Sequence, residues 1–355
     1  DMVIRDWSSD VCSSDLLGTF QKAAFGVLLD AVEAHRRLDA VEETPEFVFA
    51  PSHREAGSFH SFVPIMHGCD NFCSYCIVPY VRGREISRSP VAVMDEVLSL
   101  ASAGVREITL LGQNVNSYRW AGDGGPLDFA GLLGLIAPCA ESAGIGRIRF
   151  VSSHPKDLSD DTIEVIASHG VMARHIHLCV QHGSDRILAA MNRKYTASDY
   201  LALVGRIRSR IPGMTLSTDI LVGFPGETED DIEATLDLMS RARFAYAFMY
   251  HYNPREGTPA ATMPGQVPDT VKKERLSRVM ALQKEISRDI MKDMVGTEAV
   301  VLVEAVSKRS ANEVLARTDQ DMMVVFPAPA TRIGSFSRVR LVSISGNTFK
   351  AEEVL

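Results

Sequence analysis

Between Ser58 and about Tyr252, short apolar runs alternate with stretches whose apolar residues recur at helical spacing. Apolar runs of about four to eight residues, bounded by turn formers, read as buried strands. Six are present: Phe59–Met66, Glu107–Leu111, Arg147–Ser152, His175–Val180, Thr215–Val222 and Phe244–His251. A helix pattern opens at Ser89-Pro90, a cap residue followed by proline at the first helical position. Its predicted apolar face is Met94, Val97, Leu98 and Ala101, and Gly104 ends it. Asp128–Ser142, Asp160–Ser168, Ser184–Met191, Ser198–Arg210 and Glu229–Arg241 repeat the theme.

Strands alternating with helices imply an α/β fold with a parallel sheet and right-handed crossovers. Six units are too few to close an eight-fold barrel, so the expectation is an open, partial (βα)6 TIM-like barrel over residues 51–268. In such folds chemistry belongs in the loops at the carboxyl ends of the strands. Residues 269–295 read as one long charged connecting helix. From Gly296 the texture changes to short β-like runs: Ala299–Val303, Glu313–Ala316, Met322–Phe326, Arg338–Val342 and Phe349–Glu353. These fit a small five-stranded antiparallel β-barrel over 296–355. A helix pattern at Leu17–Asp39 belongs to neither unit and reads as the tail of a domain cut off upstream. Residues 1–16, DMVIRDWSSDVCSSDL, have no usable periodicity and resemble translated adaptor sequence; they read as a non-native or disordered leader.

Composition narrows the class. Hydrophobic residues make up 46% and charged ones 23%, as in ordinary globular chains. No apolar run approaches the roughly 18 residues of a membrane span, and no secretion signal is recognisable, so the expected location is the cytoplasm. A net charge of −8 argues against non-specific coating of nucleic acid but leaves room for a local basic cleft that holds one structured RNA.

Of six cysteines, Cys69, Cys73 and Cys76 lie together in HGCDNFCSYC (residues 67–76), directly after the first strand. The spacing is Cys-x3-Cys-x2-Cys. A loop this short can wrap three thiolates around an iron–sulfur cluster and leave one iron open to a ligand. A structural zinc site, which would need a fourth ligand, and three inert thiols are the competing readings.

At the end of the first strand of a six-unit βα domain, this motif resembles the radical S-adenosylmethionine superfamily. Further stretches resemble its methylthiotransferases: CIVPYVRGREISR (76–88), LLGQNVNSY (110–118), SSHP (152–155), QHGSDRIL (181–188), MNRKYT (191–196), VGFPGET (222–228) and NPREGTPA (253–260). GQNVN resembles the MiaB branch, which acts on tRNA, and VLVEAVSK, LARTDQ and IGSF resemble the TRAM domain.

The resemblance implies a [4Fe-4S] cluster on Cys69, Cys73 and Cys76 with one open iron, and S-adenosylmethionine held by Tyr75, Gly112, Gln113, Ser152, Ser153, Gln181, Gly223 and Gly226. It implies methylthiolation of isopentenyladenosine beside the anticodon. The tRNA anticodon stem-loop would meet Arg82, Arg84, Arg88, Arg193 and Lys194 at the barrel mouth. Flavodoxin or ferredoxin would supply electrons to a monomer.

Relatives of this kind carry an upstream domain with a second [4Fe-4S] cluster, and residues 17–50 read as its remnant. Cys139 and Cys179 lie in no second cluster motif, so the chain is expected to cleave S-adenosylmethionine without transferring sulfur. His182 stands where serine is commoner. Other readings are a methylthiotransferase acting on threonylcarbamoyladenosine or a ribosomal protein, and an RNA-binding module with a structural cluster. Residues 296–355 carry seven basic and seven acidic side chains, so RNA binding by that barrel rests on resemblance alone.

Overall fold

The structure is a computed structural model that describes residues 47–49, 57–122 and 125–354. The expected leader and the Leu17–Asp39 helix lie outside the described residues. Six parallel strands alternate with helices in the predicted order: β1 (His60–Pro64), β2 (Glu107–Leu111), β3 (Arg147–Phe150), β4 (His175–His177), β5 (Thr215–Val222) and β6 (Tyr246–His251). β1, β2 and β3 form one parallel run, and β4, β5 and β6 a second. Parallel bridges Ile148–Met172 and Ser153–Leu178 join the two runs. The sheet therefore curves from β1 to β6 without closing: a partial barrel.

The helices are α1 (Val78–Arg82), α2 (Pro90–Ser102), α3 (Phe129–Ser142), α4 (Asp160–Ser168), α5 (Asp185–Ala190), α6 (Ala197–Arg210) and α7 (Glu229–Ala242). Local chemistry fixes their starts. The Asp128 carboxylate accepts the Gly131 N–H at 2.9 Å, and Thr196/Asp199 and Thr228/Asp231 form reciprocal capping boxes on α6 and α7. On α2 the buried residues are Val93, Val97 and Leu100, while Leu98 is 42% exposed. The true stripe follows i, i+4, i+7, and Leu98 lies one residue, about 100° of helix rotation, away from it.

Helix α8 (Asp269–Met294) leads into β7 (Glu298–Val306), β8 (Glu313–Thr318), β9 (Met323–Pro327), β10 (Phe336–Ser345) and β11 (Thr348–Glu353). These close into a barrel in the order β7-β8-β9-β11-β10 around Val301, Val303, Val324, Phe326 and Phe349. Four pairs are antiparallel and β9–β11 is parallel. Parity requires it, because directions cannot alternate all the way round a ring of five strands.

This small barrel seals the amino-terminal end of the large one. Arg147, buried at the start of β3, donates to the carbonyls of Val300 and Arg317 (both 3.1 Å) and packs over the Phe336 ring. Arg149 donates to the Thr318 carbonyl at 2.7 Å and the Asp319 carbonyl at 3.2 Å. Glu107 pairs with both arginines at 3.2 Å. Thr215 and Tyr246, at the starts of β5 and β6, donate to the Gln320 carbonyl and to Asp321. The opposite, carboxyl-terminal end of the strands stays open.

Candidate active site

The cysteine loop leaves β1 through Met66–His67, which pairs with Ile86–Ser87 as a short antiparallel ribbon. Gly68 has φ +79° and its missing Cβ would sit 2.0 Å from the Arg84 carbonyl oxygen, so only glycine fits there. The Cys69 N–H donates to the Gly83 carbonyl at 3.2 Å, and the Gly68 N–H to Gln113 Oε1 at 2.6 Å. From across the barrel, the turn after α5 clamps the loop. Asn192 Nδ2 donates to the Phe72 carbonyl at 2.8 Å, and Ser74 donates to the carbonyls of Met191 and Ala190.

The loop borders a cleft of about 410 Å³ at the carboxyl ends of β1 to β4, lined by Cys69, Cys73 and Cys76. Tyr75, Gly112, Gln113, Ser152, Ser153 and Gln181 line it as well. Asn71 Nδ2 lies 3.5 Å from Cys69 Sγ, and Arg193 Nη1 lies 3.4 Å from Cys73 Sγ. Burial, reinforced by the Glu85 charge, pushes the Cys69 thiol up to about 11, and burial also raises Cys76. Burial outweighs the opposing charge of Arg193 at Cys76, so both thiols favour the protonated form until a metal binds. Two buried atoms of the cleft, Ser153 Oγ and His154 Nε2, have no hydrogen-bond partner among the described residues. Burial, with Arg193 and Lys156 nearby, depresses His154 to about 2, so its ring is neutral.

Backbone strain gathers at the same place. Phe72 (φ 46°), Ser152 (64°), Gln181 (67°) and Asn192 (60°) take left-handed conformations without being glycine. All four are in the cleft wall or its clamp, where surrounding hydrogen bonds hold them.

Several expected contacts need correction. Gly223 and Gly226 do not line the cleft. A Cβ on Gly223 would strike Lys272 Cγ of α8 at 2.3 Å, and the Gly226 N–H donates to the Gly265 carbonyl at 2.8 Å. Both glycines have positive φ, and at Gly223 the close approach of α8 is a further reason for the missing side chain. Arg88 is not at a mouth. It is 9% exposed, paired with Glu96 and donating to the Pro64 and Ala92 carbonyls. Arg193 is 8% exposed and lies under the cysteine loop, donating to the Cys179 carbonyl at 2.7 Å and to Tyr195 Oη at 2.9 Å.

Arg82, Arg84 and Lys194 are exposed, and Arg82 borders the cleft. Asn114 was missed. Its side chain accepts the His154 N–H and donates to Asp157 at 2.7 Å, tying two cleft loops together. The sequence signal was its place in GQNVN, but an amide gives no hint of its partner.

Residues 63–239 match the Radical SAM superfamily and residues 292–353 the TRAM domain. A tRNA-2-methylthio-N(6)-dimethylallyladenosine synthase of Treponema denticola is 47% identical over 351 residues, spanning 95% of this chain and 78% of that protein. The protein of the same name from Moorella thermoacetica is 46% identical over 343 residues, covering 96% and 76%. Among solved structures, coproporphyrinogen III oxidase (HemN) from Escherichia coli aligns with a TM-score of 0.50 at 13% identity, over 81% of this chain and 67% of that one. That likeness concerns the fold alone. With cysteine loop, cleft and both barrels on one chain, and identity at this level over nearly its whole length, the chain belongs to the tRNA-2-methylthio-N(6)-dimethylallyladenosine synthase family.

Proposed function

We propose that this chain performs the radical step of tRNA methylthiolation, the addition of a methylthio group to N6-dimethylallyladenosine. The observation that carries this is the strained cleft onto which three cysteine thiols open. Their sulfurs are not gathered within 4.8 Å of one another, whereas a single zinc ion would hold its ligands about 3.3–3.7 Å apart. A [4Fe-4S] cluster on Cys69, Cys73 and Cys76, with one iron left open, suits three thiols that line one cleft. Held by these cysteines and reduced, such a cluster would supply the single electron needed for reductive cleavage of S-adenosylmethionine.

The chain's residues bind and orient. Ser153 Oγ and His154 Nε2 offer unused hydrogen bonds to the cofactor, while Tyr75 presents a ring to its base. Ser152 and Gln181, held in their strained conformations, shape the wall facing it. The Arg193 guanidinium at Cys73 Sγ offsets the negative charge of the thiolates. Arg82, Arg84 and Lys194 are placed to meet the phosphates of an anticodon stem-loop, with the small barrel as a second RNA contact. The sulfur would come from a second cluster, for which the other described cysteines, Cys139 and Cys179, form no motif. Flavodoxin or ferredoxin as donor, a monomeric state and a cytoplasmic location complete the reading. No helix among the described residues is long and apolar enough to cross a membrane.

The test is anaerobic reconstitution followed by dithionite and S-adenosylmethionine. About four irons per chain on the cysteine loop and release of 5′-deoxyadenosine are expected, both lost in Cys73→Ala. A loaded, reduced chain that leaves S-adenosylmethionine intact would mean the cluster is only structural. Binding of the dimethylallylated stem-loop no tighter than of an unmodified one would remove the substrate assignment.

A further inference from the structure

Deeper in the large barrel, beyond the cysteine loop, three side chains of different chemistry meet. Cys179 lies two residues beyond His177, which ends β4. Alternation along an extended chain turns both to the same face. On the neighbouring strand Ser217 pairs with His177, so Asp219, two residues further on, stands beside Cys179. His177 Nε2 lies 3.2 Å from Cys179 Sγ and 3.6 Å from Asp219 Oδ2, and the three ligand atoms fall within 4.8 Å of one another. The geometry points to a mononuclear zinc site on His177, Cys179 and Asp219, with its fourth position open to the barrel interior.

Zinc bonds to nitrogen, oxygen and sulfur run about 2.0–2.3 Å, so the edges of its tetrahedron are about 3.3–3.7 Å. The imidazole–thiol separation of 3.2 Å is about 0.3 Å shorter than a zinc nitrogen–sulfur edge, and the imidazole–carboxylate separation of 3.6 Å about 0.2 Å longer than a nitrogen–oxygen edge, shifts that small side-chain rotations supply. The other ring nitrogen, His177 Nδ1, is 2.9 Å from Ser217 Oγ, which fixes the ring with Nε2 aimed at the pair. Metal-binding histidines are commonly oriented in this way. One thiolate, one carboxylate and a neutral imidazole carry two negative charges, which match a divalent ion. A mixed sulfur, nitrogen and oxygen set selects zinc over magnesium or calcium, which take oxygen ligands.

The open position faces a cavity of about 340 Å³ bordered by Phe150, Tyr246, Phe248 and Tyr250, large enough for a water or a substrate atom. Cys179 and Asp219 also line the cleft that the cysteine loop borders, and Arg193 links the two groups, one guanidinium nitrogen on the Cys179 carbonyl and another on Cys73 Sγ.

The test needs neither S-adenosylmethionine nor RNA, so its failure is separable from failure of the proposed activity. Replacing Cys12, Cys69, Cys73, Cys76 and Cys139 by alanine leaves Cys179 as the chain's only thiol. Anaerobic titration with cobalt(II) is expected to give one equivalent of tetrahedral cobalt with a thiolate charge-transfer band, displaced by zinc. Cys179→Ser should abolish the band. Asp219→Asn and His177→Gln should each weaken binding at least about tenfold, as should Ser217→Ala. Absence of the band, or unchanged affinity in His177→Gln and Asp219→Asn, overturns the site. Should the five-alanine chain not fold, zinc is counted in the cluster-loaded native chain: one per chain is expected, and none in Cys179→Ala. Equal zinc in those two proteins also overturns it.

Discussion

Arg193 is bonded to a cysteine sulfur, a phenol and a backbone carbonyl, and its environment holds the guanidinium firmly charged. A buried positive charge beside a cluster ligand stabilises the reduced, more negative state. At an effective dielectric of about 20, one charge a few ångströms away corresponds to a potential change on the order of 100 mV. Arg193→Gln should therefore lower the midpoint potential of the reconstituted cluster by about that amount, and Arg193→Lys by less. A redox titration followed by electron paramagnetic resonance measures it, and an unchanged midpoint would remove the role. Sequence singled out the three loop cysteines by their spacing, and the structure brings all three to one cleft. Sequence could not tell Arg193 from its neighbour Lys194. Arginine burial depends on acceptors converging from elsewhere in the fold, here the Cys179 carbonyl and Cys73 Sγ, and no local pattern announces them.

Among the elements, β2 and β5 occupy the predicted ranges, although Thr109 in β2 and Ser217, Thr218 and Asp219 in β5 interrupt the apolar run. The α2 face was read one position off, because Met94, Val97 and Ala101 belong to or border the true stripe and Leu98 only resembles it. Glycines in the turn after β5 were harder. A positive φ serves a close-packed helix as well as a ligand, and sequence does not distinguish the two. Gly223→Ala separates these roles. With φ +72° and Lys272 Cγ 2.3 Å from the added carbon, the variant should lose about 1–3 kcal/mol in urea unfolding, while S-adenosylmethionine affinity stays within twofold or so. A selective loss of that affinity at unchanged stability would restore the glycine to the cofactor.

For the whole molecule, composition and periodicity announced two barrels but not how they meet. The joint is polar and buried: Glu107, Arg147 and Arg149 from the large barrel against carbonyls and Asp321 of the small one. Such residues look like surface charge in a sequence. Removing one member strands the others, at a cost of about 3–5 kcal/mol. Arg147→Met should therefore uncouple the barrels, turning one calorimetric transition into two and opening the 295–300 segment to protease. A single transition at the original midpoint would mean that the joint adds nothing to cooperativity.

Because the small barrel caps the amino-terminal strand ends and the cleft opens at the carboxyl-terminal ends, the two lie at least a strand's length apart. From Arg147, which contacts the small barrel, to Ser152 in the cleft is five residues of near-extended chain, about 16 Å. An RNA touching both is gripped like an object in a calliper, whose jaws are set by the rigid sheet between them. A short oligonucleotide with the right base reaches one jaw only and forgoes the gain of joint binding. On the proposed function, selection would then fall on the dimensions of a folded RNA as much as on the nucleotide at the cleft.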